Sequence, residues 1–307
     1  MLDNKPYFTL NIDAHMCLAF IQFNGQFIFG AEMMPMKLDM PLNHWIRKGD
    51  NQISIALMPV DDEGEMGSFA TGSRVEATLN VRQAGGSKED NVRITSLRFD
   101  STDPDNLPPA ERLGSKKGFK ADPKGDVKVG KTRKESYQDI GVVMTRTVTL
   151  PKLGLPEWKF FKSDDLTDMS GFDIEGRVGD EKLLELQDEL LPIYKGIWDA
   201  LDKGDVDSIL PLYEERSAET DAAFFKEPGE TQASVERWLR ESVSDPNQKL
   251  WPISEDNVMI RLYDNNKLAQ LVQNNDNPLL SFDYTEGGAR HYEAIFRKSG
   301  KDWILTR

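Results

Sequence analysis

Three histidines, one cysteine and 52 carboxylates are what this chain offers for chemistry. Metal-dependent hydrolysis needs His, Cys or carboxylate ligands at short fixed spacings, and neither HExxH nor CxxC nor a close His pair occurs. Acyl transfer would announce itself as GxSxG, which does not occur, and Gly64-Glu65-Met66-Gly67 lacks the strand-to-helix setting of a phosphate-cradling glycine loop. Cys17 sits inside the apolar run 14–23 and reads as a small buried hydrophobe. His15 falls in a turn and His44 beside Trp45, both structural positions. His291 is the best acid–base candidate, since alternation sets His291 and Glu293 on one strand face and Tyr292, Ala294 and Phe296 on the other. The residue types point to a protein that is not an enzyme, with no catalytic residue, no cofactor and no metal.

The carboxylates are the larger signal. Net charge is -14, but residues 1–150 carry 19 basic and 20 acidic side chains, and residues 151–307 carry 19 and 32. Within 164–245 the count is 8 basic against 23 acidic. An acidic chain lacks the Lys and Arg excess that neutralises phosphates, so direct nucleic-acid binding is not expected. A field of this sign recruits a basic protein partner and speeds its association. The residues nominated for that contact are Asp164, Asp165, Asp168, Glu181, Glu185, Asp188, Asp199, Asp202, Glu214 and Glu215. No run approaches the ~18 apolar residues of a membrane span. The opening MLDNKPYF has neither the basic flank nor the apolar core of a signal peptide, so the expectation is a cytoplasmic protein without membrane contact.

The elements that must carry these groups follow from periodicity. Residues 7–14, 17–23, 27–29, 52–58, 74–82, 91–100 and 140–150 alternate or run apolar as strands, and Asn24-Gly25 is a hairpin turn. The pattern in 91–100 slips near Ser96, which predicts a bulge there, and Arg146 breaks the apolar face of 140–150. Met33, Met34, Met36 and Met40 read as adaptable core filling or a soft contact surface. The loop 101–139 is long and rich in Pro, Gly and Lys, with nine basic and two acidic residues over 112–134. Leu183, Leu186, Leu190, Tyr194, Ile197 and Leu201 trace an amphipathic helix that Pro192 should kink or split. Gly204 ends it, and Asp205 caps a second helix. A third helix spans 231–243, and strands follow at 258–263, 267–273, 279–285, 289–298 and 302–306. The fold class is therefore α+β, in three parts. An N-terminal antiparallel β-sandwich (1–165) is followed by a linker (166–179) and an α+β domain of helices on a curved antiparallel sheet (180–307).

Two stretches resemble known families. Lys48-Gly49-Asp50-Asn51, leading into Gln52-Ile53-Ser54-Ile55, looks like the turn into a strand of jelly-roll accessory domains in carbohydrate-active enzymes. A sugar-binding role there would require an exposed aromatic platform, for which Trp45 is the nominee. Residues 200–213, with Gly204-Asp205 at their centre, and the closing 294–305 are similar to the opening helices and final hairpin of the nuclear transport factor 2-like superfamily. That resemblance implies a cone-shaped pocket, with His291, Asp283 and Tyr263 near its mouth. The alternative reading it carries is an enzyme or small-ligand-binding protein. In overall design the chain resembles two-domain cytoplasmic immunity proteins of type VI secretion toxins. That implies a cognate toxin with a basic surface, a nuclease, as the partner.

Overall fold

The computed structural model describes residues 4–103, 127–137, 141–150, 153–167, 181–263, 266–275, 277–285 and 287–307. Most of the loop 101–139, residues 168–179 of the expected linker and Asp168 lie outside the described residues. The chain divides into two compact units: Met1–Glu157 with Ala223–Phe225, and Trp158–Ala222 with Lys226–Arg307. It is an α+β protein in which the described strands pair antiparallel.

The first unit contains two sheets. One runs β4 (Met36–Pro41), β1 (Pro6–His15), β6 (Arg74–Gln83), β7 (Val92–Asp100). The other runs β3 (Gln26–Glu32), β2 (Leu18–Phe23), β5 (Gly49–Met58), β10 (Gly141–Leu150), β8 (Lys128–Val129), with β9 (Arg133–Tyr137) also on β10. Period-two sequences bury Phe8, Leu10 and Ile12 on β1 and Val75, Ala77, Leu79 and Val81 on β6, whereas on β5 every residue from Ile53 to Met58 is buried. Each fully buried Leu, Ile or Phe contributes about 1.5–3 kcal/mol. Asn24 and Gly25 both take positive φ, +53° and +78°, and close the β2–β3 hairpin as a two-residue turn. Asn51 holds the Lys48–Asn51 turn together. Its amide donates to the carbonyls of Arg47 (2.8 Å) and Gly49 (3.2 Å), and its oxygen accepts from Arg47 N–H (3.0 Å).

Four readings of this half change. The methionine cluster contains strand β4, whose Met36, Leu38 and Met40 alternate with Lys37 and Asp39 on a sheet edge. The C-terminal part of the basic loop forms β8 and β9. The bulge falls two residues before Ser96: Leu79 faces Thr95 and Asn80 faces Arg93, which leaves Ile94 as the extra residue. That slip sets Ile94 and Thr95 in succession on the buried side, which places the Thr95 hydroxyl where Arg146 can reach it. This arginine is in phase with buried Met144 and Val148 and only 1% exposed. Its guanidinium donates to Thr95 Oγ1 (3.1 Å), the Ser96 carbonyl and Thr132 Oγ1 (2.7 Å). Trp45 is buried, so it offers no platform for a sugar.

The second unit places its helices first. α1 (Glu181–Asp202) continues through Pro192 without the split its ring suggested. Asp205 caps α2 (Val206–Ile209) through Ser208 N–H, a 3-10 turn follows at Leu210–Tyr213, and then α3 (Glu214–Phe224) and α4 (Glu230–Ser244). The buried Asp221 carboxylate accepts from Gly229 N–H (2.8 Å) and Thr231 N–H (2.9 Å), satisfying donors at the start of α4. The expected single curved sheet is two hydrogen-bonded sheets. One is β11 (Gln248–Leu250), β14 (Leu280–Tyr284), β15 (Ala289–Tyr292); the other is β12 (Val258–Tyr263), β13 (Leu268–Gln273), β16 (Phe296–Ser299), β17 (Asp302–Leu305). The predicted strand 289–298 is thus two strands in different sheets. Ala294, Ile295 and Phe296 are buried in succession, which a strand with one solvent face cannot do. The Tyr194 hydroxyl, from the buried face of α1, donates to the Ala294 carbonyl at this bend and accepts from Leu271 N–H (3.0 Å).

Candidate functional site

α1 is the platform for the nominated carboxylates. Its buried face is the Leu183, Leu186, Leu190, Tyr194, Ile197, Leu201 stripe. Steps of three and four residues along the opposite face pass through Glu181, Glu185, Asp188, Pro192, Gly196, Asp199 and Asp202, all exposed. At 1.5 Å per residue the face is about 33 Å long, and its two acidic ends are separated by Pro192 and Gly196. Glu185 pairs with Lys182 (3.0 Å). Glu181, Asp188, Asp199 and Asp202 have no ion-pair partner among the described residues, and neither does exposed Glu214 on α3.

The remaining nominees among the described residues are bonded within the chain. Glu215 accepts a bidentate pair from Arg297 (2.6 and 2.8 Å) and a third bond from Lys159 (3.1 Å). Burial works against its charged form, but the hydrogen bonds from Arg297 and Lys159 outweigh it and lower its pKa. Glu219, one turn on, accepts from Arg307 (2.6 Å) and from Lys159 N–H (2.7 Å). Asp165 pairs with Lys267 (2.7 Å), and Asp164 accepts from Gly300 N–H (2.7 Å).

Beside α1 the β16–β17 hairpin opens a groove of about 510 Å³, lined by Glu189, Ile193, Lys298, Lys301, Asp302 and Trp303. Lys298 Nζ and the Trp303 indole N–H (3.0 Å) both donate to Glu189 Oε2. Lys298 lies 5.2 Å from the Trp303 ring centroid. The hydrogen bond from Lys298, and then that from Trp303, hold the Glu189 carboxyl below its usual range. The two segments forming this groove are more than 100 positions apart, and no local pattern joins them.

His291 and Asp283 share the outward face of the β11–β14–β15 sheet, both exposed. His291 Nδ1 is 2.9 Å from Ser281 Oγ, which itself donates to the Pro278 carbonyl (2.8 Å). Its ring stands edge-on to Trp251, 5.8 Å away. Tyr263 lies in the other sheet, buried, with its hydroxyl donating to Gln270 Oε1 (2.6 Å). His291 and Asp283 therefore share a surface, and Tyr263 does not join them. Burial pushes the Cys17 thiol up to about 11. Among the described residues no group of three His, Cys, Asp or Glu side chains is placed to hold a metal ion. No helix among them is long and apolar enough to cross a membrane.

No protein-family model matches the chain, and no curated protein or solved structure does either.

Proposed function

We propose that this chain is a non-enzymatic immunity protein that binds a cognate bacterial toxin, a nuclease, and blocks its basic substrate cleft with the acidic face of α1. The reading includes a cytoplasmic site of action, a jelly-roll-like β-sandwich for the first unit and a nuclear transport factor 2-like plan for the second. One observation supports the binding role above the others: the outward face of α1 is arranged against its own stability. Asp199 and Asp202 stand in the last turn with no basic residue there, where negative charge opposes the helix dipole by about 0.3–1 kcal/mol each. Pro192 and Gly196 are the two residue types least suited to a helix interior, and a Cβ on Gly196 would meet nothing within 4 Å. Among the described residues no cation pairs with Glu181, Asp188, Asp199 or Asp202, whereas a basic surface would.

The test is co-expression with the product of the neighbouring gene, together with capture at low and high salt. Wild type should rescue cells and hold that protein at low salt. A triple variant Asp188→Asn, Asp199→Asn, Asp202→Asn should melt no lower than wild type yet fail to rescue. Rescue by the triple variant would refute the role of this face.

A further inference from the structure

The geometry points to the Glu189–Trp303 groove as the seat for an arginine side chain of the basic partner, a seat that Lys298 occupies in the free protein. This rests on the docking role proposed for α1 and adds where the partner is anchored. The groove brings together the three parts that recognise a cationic side chain: a carboxylate in Glu189, an indole face in half-exposed Trp303 and an aliphatic wall in Ile193. That it attracts a cation is visible, because Lys298 reaches Glu189 from a position 5.2 Å from the ring centroid.

The seat is nevertheless incompletely used. Both donors converge on Glu189 Oε2, and among the described residues Oε1 accepts no hydrogen bond. Asp302, exposed at the lip, has no ion-pair partner among the described residues. A planar guanidinium can stack on the indole while its remaining donors reach Oε1, which a second ammonium beside Lys298 and Lys301 cannot do as well. Glu189 and Ile193 flank the acidic stripe of α1, and Pro192 and Gly196 leave the adjoining helix surface free of long side chains. A backbone docked along α1 could therefore come close enough to lower one side chain into the groove.

The experiment uses the full chain, hexa-arginine amide and hexa-lysine amide as probes, and the indole ¹⁵N–H resonance of Trp303, assigned by its loss in Trp303→Phe. Hexa-arginine should shift that resonance saturably and bind about five-fold tighter than hexa-lysine. Glu189→Gln should weaken hexa-arginine binding about ten-fold, and Lys298→Gln, which vacates the seat, should tighten it. Glu189→Gln is isosteric, Lys298→Gln shortens and neutralises its side chain, and melting curves verify that both variants fold. Equal affinity for the two peptides, or no tightening in Lys298→Gln, overturns the inference. If Glu189→Gln and Lys298→Gln bind hexa-arginine as wild type does while the triple α1 variant loses it, the groove reading falls and the acidic-face reading stands. If the triple variant also binds unchanged, both fall.

Discussion

Replacing Arg297 by Gln tests a bidentate, largely shielded ion pair of the second unit. Arg297 and Glu215 are both largely shielded, at 10% and 13% side-chain exposure, and they meet through two parallel bonds of 2.6 and 2.8 Å. Removing one partner of a shielded pair strands the other, which costs about 3–5 kcal/mol when nothing else compensates. Here Lys159 remains 3.1 Å from Glu215, but its own side chain is 63% exposed and it replaces little. The expected loss at pH 7 is about 3 kcal/mol, read by urea unfolding. The pH dependence has a definite sign. Glu215 has a folded-state pKa below its ordinary 4.5, so its stabilisation is complete above 4.5 and is lost as pH falls through the folded value. In Arg297→Gln that depression is largely removed, so the gap between variant and wild type should shrink on acidification below about 4.5. Glu215→Gln combined with Arg297→Gln should recover much of the loss, because no stranded charge remains. A gap under about 0.5 kcal/mol, or one that stays constant down to the acid transition, would refute the argument.

Tyr194→Phe removes one oxygen from the core and leaves Leu271 N–H and the Ala294 carbonyl without their bonds; a loss of about 2–4 kcal/mol should appear in thermal or urea unfolding. Gly196→Ala should raise stability by about 0.5–1 kcal/mol, since the added Cβ meets nothing within 4 Å and the helix gains propensity; a drop in melting temperature would contradict it. Cys17, buried and with its thiol pushed up to about 11, should react with an aromatic disulfide reagent at pH 8 only at the rate of unfolding, so its labelling should follow added urea.

Local order in this chain is written locally. Alternation in 74–82, the Leu stripe of α1, the Asn24-Gly25 turn and the Asp205 cap each depend on residues within a few positions, through backbone sterics and side-chain spacing. The acidity of the helical segment is equally plain from composition. Which carboxylates face outward unpaired was settled by the fold. Glu214 and Glu215 are neighbours of identical type, yet one is exposed and the other is clamped by an arginine 82 residues away. Ion pairing depends on distance and local dielectric, and sequence neighbours report neither. For the same reason the groove went unread, since its Glu189–Trp303 contact spans 114 positions. Arg146 breaks the apolar pattern of its strand, and only the fold shows the Thr95 hydroxyl and the Ser96 carbonyl, some fifty positions away, that receive it. The break of 289–298 into two strands likewise followed from burying three consecutive residues around Tyr194, a demand imposed by packing and invisible to period-two alternation.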